Sequence, residues 1–133
     1  MLTTIPVTLA TAGILGLVFM LLSFNVVRLR IKTRTMLGDG GETDGAAAMQ
    51  VAIRMHGNFA EYVPFALLLL GGIEAAHADH FLVLALAVML VVGRLAHPFG
   101  MLWPAPNLAR GGGAMLTWAM MLIASVTALL VVF

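Results

Sequence analysis

Four apolar runs, each long enough to cross a bilayer, alternate with three polar connections along the chain. The first run extends from about Ile5 to Val27 and stops at RLRIKTR, where Arg28, Arg30, Lys32 and Arg34 follow one another at every second position. A glycine-rich connection, MLGDGGETDG, leads to the second run at about 46–73. The turn EAAHADH separates it from the third at about 81–97, and PFGMLWPAPNLARGGG precedes the last at about 114–133. A helix of ~20 apolar residues crosses the hydrocarbon layer. The pattern therefore predicts one all-α integral membrane domain over 1–133, a four-transmembrane-helix bundle without internal repeats. Gly13 and Gly16 are expected to permit close helix packing in the first span. Because MLTTIPVTLATAG has no lysine or arginine ahead of a long apolar run, that run reads as a retained span and not a cleaved leader.

The second run breaks its own pattern. RMHGNFAEYVPF places an arginine, a histidine, an asparagine, a glutamate and a tyrosine inside a segment that continues as ALLLLGGI. At ~100° per residue, Arg54, Asn58 and Glu61 fall within about 60° of one another, with Gln50 one turn earlier on the same face. Phe65 and Leu68 continue the stripe with apolar side chains, Tyr62 flanks it, and His56 points elsewhere. A charge inside a span costs from ~2.5 to over 10 kcal/mol, so this stripe cannot face lipid. Either it joins helices in a bundle, or it binds a polar ligand. Pro64 cannot donate to the carbonyl of Ala60 and is expected to bend the helix. In the third span Arg94 and His97 share a face, at nearly the depth of Arg54. Two arginines and a glutamate at one depth suit a ligand with two carboxylates and an ammonium. A simple Glu61–Arg94 pair would leave Arg54, Asn58 and Gln50 without a task.

Composition agrees with the pattern. The 133 residues are 62% hydrophobic and 10% charged, against about 25% charged in soluble domains. There is no cysteine, which excludes disulfides, thiolate metal sites and a cysteine nucleophile. A net charge of +1 suggests no nucleic-acid partner. The seven basic residues all fall on one side of the four-span layout, which predicts cytoplasmic loops at 28–45 and 98–113 and periplasmic termini.

Arg54-x3-Asn58-x2-Glu61-Tyr62-x-Pro64 resembles the signature of the MAPEG family, the membrane-associated proteins of eicosanoid and glutathione metabolism. The four-span layout, the basic first loop and the length agree, and RMHGNFAEYVP followed by LLLL is most similar to small bacterial members. The resemblance implies a homotrimer in the bacterial inner membrane, with glutathione as co-substrate between subunits and a lipophilic small molecule as the second substrate. It places Arg54 on the cofactor carboxylate, Asn58 beside it, Glu61 on the amine and Tyr62 next in line. It adds Arg30 as a further cofactor-side arginine, and Arg94-x2-His97 in place of an Arg-x2-Tyr motif. A second family tyrosine corresponds to Met101. The catalytic arginine that stabilises the thiolate has one candidate, Arg110. A thiol titrates near pH 8.5, and a neighbouring cation favours its nucleophilic thiolate. Arg110, ahead of GGG, is expected to add helix N-terminal N–H groups to its own charge; the bland reading is an ordinary membrane anchor.

Other features carry less. Glu74, His77, Asp79 and His80 lie in one turn, but zinc requires three or four convergent ligands, and no metal site is expected. GDGGETDG lacks the GK[ST] of a phosphate loop and reads as a flexible connection. Trp103 and Trp118 are expected to be interfacial or packing residues. Two other functions compete with the enzyme: a four-span exporter of lipophilic cations using Glu61, and a non-catalytic trimer that binds a lipid or a partner helix. Arginines beside the site oppose the first.

Overall fold

The computed structural model describes residues 4–41 and 45–133. Residues 42–44 of the expected flexible connection, and residues 1–3 ahead of the expected first span, lie outside the described residues. Four helices follow in order: α1 (Pro6–Thr33), α2 (Ala46–Ala75), α3 (His80–Gly100) and α4 (Leu108–Val132). Among the described residues α1, α3 and α4 are long and apolar enough to cross a membrane. At 30 residues α2 is the longest helix, but its polar stripe sets its composition apart. The chain is thus an all-helical integral membrane protein.

The helices pack as an antiparallel bundle. α1 touches α2 and α3, α4 touches α3 and α2, and α2 meets α3 across the centre, whereas α1 and α4 do not meet. On α2 the buried residues Met49, Ala52, Met55, Phe59, Val63, Ala66, Leu70 and Ile73 recur at steps of three and four. That spacing keeps one face inward over the whole helix. Leu15 of α1, Leu86 and Leu90 of α3, and Met120 and Ala124 of α4 complete the core.

Helix ends differ from the expected spans for identifiable reasons. α1 runs through the basic cluster to Thr33 and ends where Arg34 takes a left-handed conformation at φ 53. The Thr35 N–H then reaches back to the Arg30 carbonyl at 3.0 Å, closing the helix in the usual C-terminal manner. α4 begins at Leu108, six residues before the expected start, because Asn107 caps it and accepts from the Arg110 N–H at 2.9 Å. The same Asn107 donates to the carbonyls of Gly100 at 2.8 Å and Pro104 at 3.1 Å. One asparagine therefore organises the connection, which spans 101–107 instead of 98–113.

The triple glycine lies inside α4, and its third member, Gly113, packs against α3. A Cβ on Gly113 would stand 2.7 Å from the Gly93 carbonyl and from the His97 nitrogen, and one on Gly100 would collide with the Arg110 backbone. Helix α3 and the start of α4 approach this closely because neither carries side chains at those positions. Within one subunit Gly13 and Gly16 make no such contact: added Cβ atoms there would meet nothing within 4 Å. Within the subunit the close glycine contacts lie between α3 and α4.

Candidate functional site

Arg94 organises the polar interior. It projects from the buried face of α3 and is 1% exposed. Its Nη1 donates to Asn58 Oδ1 on α2 at 2.9 Å, and its Nη2 makes a long contact of 3.5 Å with the Gly113 carbonyl on α4. That carbonyl already accepts from Thr117 Oγ1 at 2.9 Å. The Tyr62 ring lies with its centroid 5.5 Å from the guanidinium carbon, within the range of cation–π attraction. Nε of Arg94 is buried without a hydrogen-bond partner. Three helices thus meet around one cation whose contacts among the described residues are an amide, a carbonyl and a ring, with no carboxylate among them. His97, one turn further along α3, is buried as well.

The expected α2 stripe divides. Asn58 and Tyr62 are half-buried and turned to Arg94, whereas Gln50, Arg54 and Glu61 are exposed. Within one chain, Arg54 and Glu61 make no side-chain hydrogen bond or ion pair among the described residues. The structure brings Asn58, Tyr62 and Arg94 together and leaves the other two charges facing outward. Beside Arg54 and Glu61, Phe65 and Leu68 are 53% and 68% exposed, so one face of α2 is polar toward its start and apolar toward its end. His56 points to α1, where its ring centroid lies 4.7 Å from that of Phe19.

The outlying candidates have different surroundings. Arg30 is half-buried, and its Nη1 donates to the carbonyls of Met36 at 3.2 Å and Gly38 at 3.1 Å. It pins the first connection against the end of α1. Arg110 is exposed in the first turn of α4. Its guanidinium has no partner among the described residues, but its own backbone N–H is taken by Asn107. Of the expected helix-terminal N–H groups, those of Arg110 and Gly111 are therefore taken, by the side chain and the carbonyl of Asn107, because the N-cap lies three residues upstream.

Two residues matter more than their sequence context suggested. Asn107 has just been described. Glu74, read as part of a surface turn, accepts from the Val7 and Thr8 N–H groups, both at 2.8 Å. Ile5 provides no side-chain cap to α1, so the carboxylate of α2 serves instead. Partial burial works against ionisation of Glu74. Hydrogen bonds from Thr8 and Val7, aided by nearby His80, outweigh it and hold the carboxyl below its ordinary range. The signal for both residues was a helix start lacking, or offering, a cap. Among the described residues no cluster of three or more potential ligands could hold a metal.

Comparison with known proteins agrees with this architecture. The sequence profile of the MAPEG family matches residues 8–130. Two curated relatives, each called inner membrane protein YecN and each from a strain of Escherichia coli, are 41% identical over 85 residues. The matched segment covers 64% of this chain and 62% of each relative, so the chain spans about three fifths of their length. No solved structure matches.

Proposed function

The chain belongs to the MAPEG family, and from that premise we propose a homotrimeric inner-membrane enzyme that adds the glutathione thiolate to lipophilic electrophiles or reduces lipid hydroperoxides with it. Support comes above all from Arg94. A cation 1% exposed with no carboxylate beside it among the described residues carries a large desolvation cost, which an anion relieves. Glutathione brings two carboxylates and, once ionised, a thiolate. Arg54 and Glu61, free on the outer face of α2, are the complementary pair for a carboxylate and an ammonium of a ligand held between copies. Asn58 and Tyr62 fix the Arg94 side chain, His97 lines the same interior, and Arg30 pins the first connection to the end of α1.

The chemistry needs little from the protein beyond charge and exclusion of water. The thiol proton passes to solvent, and a guanidinium beside the sulfur stabilises the thiolate left behind. Arg110, exposed and unpaired, is the candidate for that contact. In transfer, the sulfur attacks an electrophilic carbon and a halide departs. In reduction, it attacks the distal peroxide oxygen and an alcohol departs; a second glutathione then displaces water from the sulfenic acid to give the disulfide. A cation exporter fits poorly, because Arg94 and Arg54 would repel its cargo.

Calorimetric titration of glutathione into the detergent-purified trimer, with thiolate absorbance followed in parallel, tests binding and activation together. Saturable binding with a rise in absorbance at neutral pH is expected. Absence of binding overturns the reading, and binding without the absorbance rise removes the catalytic half of it.

A further inference from the structure

The basic end of the bundle holds a cleft that the glutathione reading does not use. It has a volume of about 390 Å³ and opens between the last turns of α1, the first turns of α2 and the α3–α4 connection. Leu29, Ala48, Val51, Met55, Met101 and Leu102 give it apolar walls, and Asn25 and Arg28 supply its polar groups. Among the described residues no carboxylate lines it. Arg28 is exposed, and its Nη2 donates to Asn25 Oδ1 at 3.0 Å. Asn25 therefore orients the guanidinium without neutralising it. Beyond Arg28, a shallower furrow of about 530 Å³ runs along α1 over Leu21, Phe24, Val27 and Ile31 and shares Asn25 and Arg28 with the cleft.

Depth narrows the choice of occupant. Arg28 is the first charged residue after the apolar run of α1, the level at which hydrocarbon gives way to headgroups. A guanidinium there whose partner among the described residues is an amide and not a carboxylate, flanked on both sides by apolar channels, is complementary to an anion carrying two hydrocarbon chains. The planar fork of arginine suits phosphate oxygens. The apolar walls offer nothing to the amides and carboxylates of a water-soluble ligand. We propose that this cleft is a binding site for an anionic phospholipid, with its phosphate on Arg28, one acyl chain in the cleft and the other in the furrow along α1. The bound lipid ties the ends of α1 and α2 to the α3–α4 connection, and the assignment is independent of glutathione.

The test is retention of phosphatidylglycerol. Purified protein is analysed by native mass spectrometry, and its melting is compared in nanodiscs of phosphatidylcholine with and without phosphatidylglycerol. Wild type is expected to keep the anionic lipid and to melt higher when it is present. Arg28→Gln, at an exposed position, should lower retention about fivefold, the share of one cation at an anionic surface, and abolish the melting shift. Ala48→Phe should block the cleft with the same result. Lys32→Gln, exposed and lining neither channel, should retain the lipid. Equal retention in Arg28→Gln overturns the site, and so does an equal loss in Lys32→Gln, which would mean diffuse surface charge. Loss of glutathione binding in Arg28→Gln with lipid retention unchanged would move Arg28 to the cofactor site. Efficient disulfide cross-linking of Ala48→Cys between copies, with no lipid retained, would make the cleft a contact between subunits.

Discussion

At the residue scale, the same polar segment of α2 supplies two kinds of side chain. Asn58 and Tyr62 face Arg94 within the subunit, whereas Arg54 and Glu61 have no partner there among the described residues. The distinction leads to separable mutants. Glu61→Gln is expected to weaken glutathione far more than an analogue lacking the γ-glutamyl amine, and Arg54→Ala to weaken both. Loss of one partner in a desolvated charged contact costs about 2–5 kcal/mol, well within the range of calorimetry. Equal losses for the two ligands in Glu61→Gln would remove the amine from that residue. Arg110 has a different signature. Its alanine variant should bind glutathione almost normally yet hold it as the thiol near neutral pH, with activity partly recovering as pH rises. Arg110→Lys should fall between the two, since it keeps the charge without the planar fork. Unchanged activity per folded trimer in Arg110→Ala, with lower membrane insertion, would make the residue an anchor. The residue types of the stripe and their spacing were legible in the sequence. Which of them turned inward was not, because Arg94 lies 36 residues beyond Asn58 and only the packing of α3 on α2 joins them.

At the scale of elements, the ends of the helices hold the arrangement in register. α1 starts with proline in its first turn and no cap of its own, and Glu74 at the close of α2 satisfies two of its amides. A carboxylate at a helix N-terminus is favoured by both the free N–H groups and the helix dipole. Glu74→Gln keeps one acceptor but turns a donor toward the same amides, and is expected to cost about 1 kcal/mol after allowance for solvent screening. The direction with pH follows from the lowered carboxyl of the folded state. The stabilisation is complete above the ordinary value of 4.5 and fades as pH falls from there through the lower folded value. Thermal unfolding in detergent should therefore show wild type and Glu74→Gln diverging near neutral pH and converging in acid. A constant difference across that range would rule out the charge as the cause. Helix existence was readable from hydrophobic period alone, but the start of α4 was placed too late. A GGG run beside prolines and Asn107 resembles a loop locally, and only the close approach of α3 gives Gly113 its reason to be a glycine in a helix.

At the scale of the whole molecule, a single subunit leaves charged side chains on a helix face that a bilayer would penalise. The proposed assembly, three copies by the family reading, resolves the conflict by burying that face between subunits. Cross-linking in mild detergent should progress from monomer through dimer and stop at trimer; a ladder ending at monomer would count against the proposed assembly. Arg54→Leu with Glu61→Leu should keep the trimer while abolishing glutathione binding, since apolar side chains can fill the same interface without leaving an unpaired charge. The sequence by itself determined that this chain is an integral membrane protein of four helices, because apolar length and the cost of exposed backbone in lipid leave no other solution. It also determined the family, through residue types at fixed helical spacing on α2. Tertiary structure decided the rest: that Arg94 is an unneutralised buried cation held by Asn58, that Glu74 caps a distant helix, and that glycines of α3 and α4 meet. These facts depend on distances between segments far apart in the chain, and a local pattern carries no record of which partner a side chain will find once the helices pack.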